Sequence, residues 1–141
     1  MLFRVTLAKE SNELKIDHFV LTVESIEDTC AFYNSVVGLN TITFVGTDGE
    51  IRKALQCGES KINLHQVGQE FEPKAGHVMP GSADFCIIVS EDIESLVSRA
   101  AKLGVKVEDG PVSRTGAVGP LMSVYIRDPD HNLVELANQL L

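Results

Sequence analysis

An internal repeat constrains this chain more than any other feature of its sequence. His18 and Asp84 stand 66 positions apart, and Phe19/Phe85, Val23/Val89 and Gly38/Gly104 share that offset. One inserted residue then brings Ile26-Glu27 onto Ile93-Glu94, and further on Ile62-Asn63-Leu64 matches Val134-Glu135-Leu136. Short matches arise by chance, but a shared order of elements does so far less readily. In the first half, IDHFVLTV (16–23) reads as a strand of β-branched and aromatic residues with no breaker. Ser25 to Asp28 resembles a capping box; Ile26, Cys30, Tyr33 and Val37 follow at helical spacing, and Gly38 stands at the C-terminal cap. Strand candidates follow near 41–46, 51–57 and 61–67, separated by glycine-containing turns.

The second half repeats the order. Ser82 to Val89 reads as a strand, and Ile93, Leu96, Val97, Ala100 and Leu103 form a helix stripe closed by Gly104. Strands are predicted near 105–108, 121–127 and 133–138, with Asp128-Pro129-Asp130 turning between the last two. The expected fold is therefore α+β: two βαβββ units, at about 16–67 and 82–138, forming a curved mixed sheet around one pocket. The linker, roughly 68–81, is too short to separate independent domains. Residues 1–14 read as a short N-terminal arm and 15–141 as one domain.

A chain of 141 residues can bury a core of its own. A net charge of −8, with no run of like charges, opposes nucleic acid and anionic membrane as partners. No apolar stretch approaches the roughly 20 residues that span a bilayer. Cys30, Cys57 and Cys86 are an odd count without a CxxC pair, which disfavours a disulfide framework or a cysteine-rich zinc site. A reducing, cytoplasmic setting fits them, with Cys30 and Cys86 read as small buried hydrophobes.

Duplicated units tend to set corresponding residues opposite each other. His18 and Asp84 occupy matching places on the first strands, Asn63 and Glu135 on the last. One imidazole and two carboxylates form a normal donor set for a divalent metal ion such as Zn, Mn, Ni or Fe. His18 alone, as a lone His on an apolar strand, reads more often as a hydrogen-bonded core or interface group. Asp84 and Glu135 sit among apolar strand residues, where a carboxylate either faces water or meets a cation. His65, two positions from Asn63, shares its side of the strand and is a candidate further ligand, general base or orienting group. His77 and His131 read as solvated. In the long loop expected within PVSRTGAVGPLMSVY (111–125), Arg114 is a candidate clamp for an anion or an exposed turn residue. Ser123 and Tyr125 alternate onto one face. Phosphate loops, dinucleotide fingerprints and nucleophile elbows are absent.

IDHFVLTVESIEDTCAFYNSVVGL and YIRDPDHNLVEL resemble the opening and closing motifs of the vicinal-oxygen-chelate (glyoxalase/bleomycin-resistance/dioxygenase) superfamily, over about residues 16–138. Within it, RKALQCGESKINLH, FEPKAGHVMPGSAD and PVSRTGAVGP look most like the branch of glyoxalase domain-containing protein 5 and its bacterial relatives. The resemblance implies that fold, a small-molecule substrate or ligand, and homodimers with pockets near the joined sheets. It places His18 and Glu135 at metal positions, with Asp84 where many members carry a second His and Asn63 where glyoxalase I carries a Glu. Metal ligands are then expected at His18, Asp84 and Glu135. Glu135 and His65 are expected to be catalytic, and Asn63, Arg114, Ser123 and Tyr125 to contact substrate. A divalent-metal-dependent lyase, isomerase or transferase acting on a small oxygen-rich substrate is the first expectation. A metal-free binding or sequestering protein of the bleomycin-resistance type is the second, and a ring-cleaving dioxygenase the third.

Overall fold

The structure, a computed structural model, describes residues 14–141. All but Leu14 of the arm read over 1–14 lies outside them. The first repeat runs β1 (His18–Val23), α1 (Ile26–Phe32), β2 (Asn40–Val45), β3 (Ile51–Cys57) and β4 (Ser60–Gln66). The second runs β5 (Asp84–Ile88), α2 (Ile93–Lys102), β6 (Asp109–Gly116), β7 (Gly119–Arg127) and β8 (Leu133–Gln139). Each repeat makes one four-stranded sheet, ordered β1-β4-β3-β2 and β5-β8-β7-β6. The first and last strands of each repeat pair in parallel; the other neighbours are antiparallel.

Local signals explain the helices. Ser25 accepts a hydrogen bond from the Asp28 backbone N–H at 3.1 Å, and Asp92 caps α2 through Glu94 N–H. A π-helical turn, Tyr33–Val37, continues α1 and ends at Gly38, whose φ of 91° suits glycine alone among common residues. Period-2 alternation then sorts the strands. Leu21 and Val23 of β1, Ile62 and Leu64 of β4, Val124 and Ile126 of β7, and Val134 and Leu136 of β8 are buried in one core shared by both halves. Leu96 and Ala100 of α2 and Val36 of the π-helical turn join it. Burial of each large aliphatic contributes about 1.5–3 kcal/mol, so this common core unites the repeats. Phe19 and Phe85, related by the repeat offset, meet edge to face at 5.1 Å between ring centroids.

Because the helix-bearing sides share the core, the other side of each sheet is left for function. The parities are clear from burial: Asp84, Cys86 and Ile88 are exposed between inward-facing Phe85 and Ile87.

Three sequence expectations change. Residues 105–108 form no strand; the second strand of the second repeat is β6, and the long loop expected at 111–120 is instead a β6–β7 hairpin turning at Ala117-Val118. Pro111 lies within a register irregularity between Asp109 and Val112 on an edge strand, where a missing N–H is tolerated. Cys86 is exposed rather than buried. Cys30 does pack against the core, and His77 and His131 are exposed as expected. Among the described residues no helix is long and apolar enough to cross a membrane.

Candidate functional site

The printed registers define two outward faces. On the second sheet, Cys86 lies beside Glu135, and Glu135 beside Tyr125; one row along, Ile88, Ala137 and Ser123 are neighbours. Asp84 precedes Cys86 by two residues on the same face and is diagonal to Glu135. Four of the residues singled out in the sequence therefore come together here. Ser123, fully buried, donates its hydroxyl hydrogen to Glu135 Oε2 at 2.6 Å. Arg114 Nε donates to the Tyr125 hydroxyl at 3.0 Å, and Arg114 Nη2 reaches Asp109 at 3.4 Å. A cavity of about 380 Å³ opens above this face, lined by Glu135 and Cys86 together with Ile88, Leu121 and Val118.

Burial and the nearby Glu135 carboxylate push the Cys86 thiol up to about 11, so it is protonated at neutral pH. Burial also raises the Tyr125 hydroxyl, against the opposing pull of Arg114. Both groups are thus proton donors facing a carboxylate. Cys86 was missed as a site residue, although its parity with Asp84 was a usable signal: residues two apart on a strand share a face.

The first sheet carries the remaining candidates. Its outward rows are His18 beside Lys61, Val20 beside Asn63, and Thr22 beside His65. His18 is half exposed, with Nδ1 2.8 Å from Asp17 Oδ2. Asn63 Oδ1 and His65 Nδ1 are buried without a hydrogen-bond partner among the described residues. His65 is covered by the linker: Phe71 packs edge-on against its ring at 5.3 Å, and the Arg52 guanidinium stacks on Phe71 at 3.8 Å.

One chain therefore gathers Asp84, Glu135, Ser123, Tyr125 and Arg114 on one sheet, while His18, Asn63 and His65 belong to the other. Among the described residues no three His, Cys, Asp or Glu side chains converge to hold a cation. Two carboxylates on neighbouring strands, one with an oxygen already oriented by Ser123, suit a hard divalent ion in chemistry. Within a single chain they lack the imidazole.

A family model described as the glyoxalase/bleomycin resistance protein/dioxygenase superfamily matches residues 15–136. A curated relative, virulence protein STM3117 of Salmonella typhimurium, is 51% identical over 123 residues, covering 87% of this chain and 83% of that protein. Its crystal structure superposes with a TM-score of 0.82 at 50% identity, covering 89% of this chain and 97% of the other. Glyoxalase domain-containing protein RDO1 of Mycosarcoma maydis is 46% identical over 123 residues, covering 87% of this chain and 67% of that protein. An integron cassette protein from the mobile metagenome of V. cholerae has a TM-score of 0.83 at 42% identity, covering 99% of this chain and 100% of the other.

Proposed function

The chain belongs to the glyoxalase/bleomycin resistance protein/dioxygenase superfamily, and on that footing we propose that it is a divalent-metal-dependent enzyme acting on a small, oxygen-rich molecule. The observation that carries this reading is the Glu135 carboxylate. It stands at the edge of a cavity, held by Ser123 at 2.6 Å, with Asp84 on the same face of the adjoining strand. A half-buried carboxylate on a strand costs free energy unless it has a partner. Ser123 satisfies one oxygen and leaves the other for a cation or a substrate hydrogen.

The metal would be held by Asp84 and Glu135 of one copy and by His18 of a second copy in a homodimer. The two outward faces lie on opposite sides of a shared core, so a partner sheet, rather than the same chain, brings an imidazole to the carboxylates. The exposed apolar residues Val20 of β1 and Ile88 of β5, each on an outward face, favour such pairing. When bound, the ion supplies Lewis-acid polarisation of neighbouring substrate oxygens.

The chain's own groups do the rest. Ser123 fixes the orientation of Glu135, as supporting hydrogen bonds do for ligating carboxylates. Tyr125 donates its hydroxyl hydrogen to developing negative charge on a substrate oxygen, and Arg114 holds that hydroxyl in place. Ile88, Leu121 and Val118 form an apolar wall against which the substrate's carbon skeleton lies and water is excluded.

Elemental analysis of tag-free protein tests the reading. The wild type is expected to hold near-stoichiometric Zn, Mn, Ni or Fe, and Glu135→Gln to hold almost none. A wild type that ignores all four ions overturns the proposal and leaves the metal-free binding protein as the better reading.

A further inference from the structure

Where β7 runs into its turn, the end of the second sheet meets the segment that follows α2 and leaves a cavity of about 290 Å³. A volume of this size is near the lower end of small-molecule pockets. Its apolar wall includes Phe32 and Val105, which also pack against the core. Its polar wall is Lys106, Arg127 and His131, and all three are exposed, so a molecule entering the cavity can reach them. Arg127 donates from Nε to Glu108 at 2.9 Å and from Nη1 to the His131 carbonyl at 3.2 Å. Among the described residues Arg127 Nη2, the Lys106 ammonium and the His131 ring nitrogens carry no hydrogen bond. His131 also holds φ at 69°, a conformation that glycine adopts freely and other residues rarely do. Residues kept in such conformations cluster at ligand sites. We propose that this cavity binds a small organic carboxylate, with the head group at Lys106, Arg127 and His131 and the apolar body against Phe32 and Val105.

The charges favour that head group. In a chain of net charge −8, two cations here face one exposed carboxylate, Glu108, which is paired with Arg127. The other carboxylate at the cavity, Asp128, is only 4% exposed. Both its oxygens are held by Tyr33, Asn132 and two backbone N–H groups. The C-terminal end of α2 borders the cavity at Gly104, but the carbonyls of Arg99, Ala100 and Ala101 already accept from the backbone N–H groups of residues 103–105. The negative end of the helix is thereby blunted. A guanidinium edge and an ammonium then offer charge-assisted hydrogen bonds to the two oxygens of a carboxylate. None of these residues lines the cavity beside Glu135, so the site depends on neither the metal nor the dimer of the proposed function.

Benzoate is the probe, titrated into the full chain at low salt while the Val105 methyl groups and the Lys106 and Arg127 side chains are followed by NMR. Saturable movement of all three is expected, with a dissociation constant on the order of 1 mM for a ligand this small. Toluene and benzylamine should bind at least fivefold more weakly, and high salt should weaken benzoate. Lys106→Ala should weaken it by about threefold, and Glu108→Gln, which frees Arg127, should tighten it by a similar factor. His131→Gly should bind more weakly yet unfold at a urea midpoint no lower than that of the wild type, which separates a lost contact from a damaged fold. Glu135→Gln should leave the affinity unchanged, so failure of the metal reading does not touch this one. The proposal is overturned by no saturable movement, by toluene or benzylamine binding as tightly, or by affinities that ignore both Lys106→Ala and Glu108→Gln.

Discussion

The Tyr33 hydroxyl in the first repeat donates to Asp128 Oδ2 in the second at 2.7 Å, and both residues are buried. Asp128 is further held by Asn132 Nδ2 at 2.8 Å and by the backbone N–H groups of Asp130 and Asn132. Asn132 Oδ1 in turn accepts from the Ala83 backbone N–H at 2.9 Å, just before β5 begins. One carboxylate thus joins the end of α1, the β7–β8 turn and the entry to β5.

Removing the phenol hydroxyl tests that joint. Tyr33→Phe keeps the ring and leaves a buried carboxylate oxygen with one donor fewer. Hydrogen bonds to charged groups are worth about 1.5–3 kcal/mol. The unfolding free energy in water should fall by that amount, seen as a lower urea midpoint at unchanged slope. A loss below about 0.5 kcal/mol would mean that water replaces the hydroxyl freely.

Ser123→Ala separates orientation from folding. The substitution removes one buried oxygen and its 2.6 Å bond to Glu135. Metal affinity should drop by roughly ten- to hundredfold, as it does when groups supporting a ligand are removed. Unchanged affinity would show that Ser123 serves the fold alone.

His65 makes stability depend on pH with a definite sign. Its folded pKa lies below the unfolded value, mainly through burial and then through Arg52. Between those two values the unfolded chain binds more protons, so stability rises with pH. This contribution is complete above the unfolded pKa of about 6.5 and is lost as pH falls through the folded value. Urea midpoints taken from pH 7.5 down to 5 should fall more steeply for the wild type than for His65→Phe. Parallel slopes would place the imidazole in solvent.

Cys86 offers a chemical readout of Glu135. Although exposed, its thiol is held near 11, first by burial and then by the carboxylate beside it. Alkylation by iodoacetamide at pH 7.5, followed at the Cys86 peptide, should therefore be slow in the wild type. In Glu135→Gln it should be several-fold faster. An unchanged rate would mean that burial alone controls the thiol.

Much of this molecule was legible in the sequence because the repeat carried it. Ser25, Gly38 and Gly104 marked the helix ends, and the apolar parities of β1, β4, β7 and β8 marked the core. The hairpin of β6 and β7 was hidden in a segment that reads as a long loop, because its Pro111 and Pro120 are tolerated on an edge strand and near a strand start. Cys86 was misplaced because alternation fixes which residues share a face, not which face is wet. The grouping of Glu135 with Ser123, Tyr125 and Arg114 follows from a register that spacing alone does not contain. For the same reason, the repeat suggested that His18 meets Asp84, while the chain places them on outward faces of two different sheets.

A mixed dimer tests the central claim most directly. Chains carrying His18→Ala and Glu135→Gln, each expected to be metal-free alone, are co-expressed with different tags and the heterodimer is purified through both. If His18 of one copy serves the carboxylates of the other, one of the two sites in this dimer retains every ligand. The account predicts about one metal ion per heterodimer; a heterodimer as empty as its parents would contradict it.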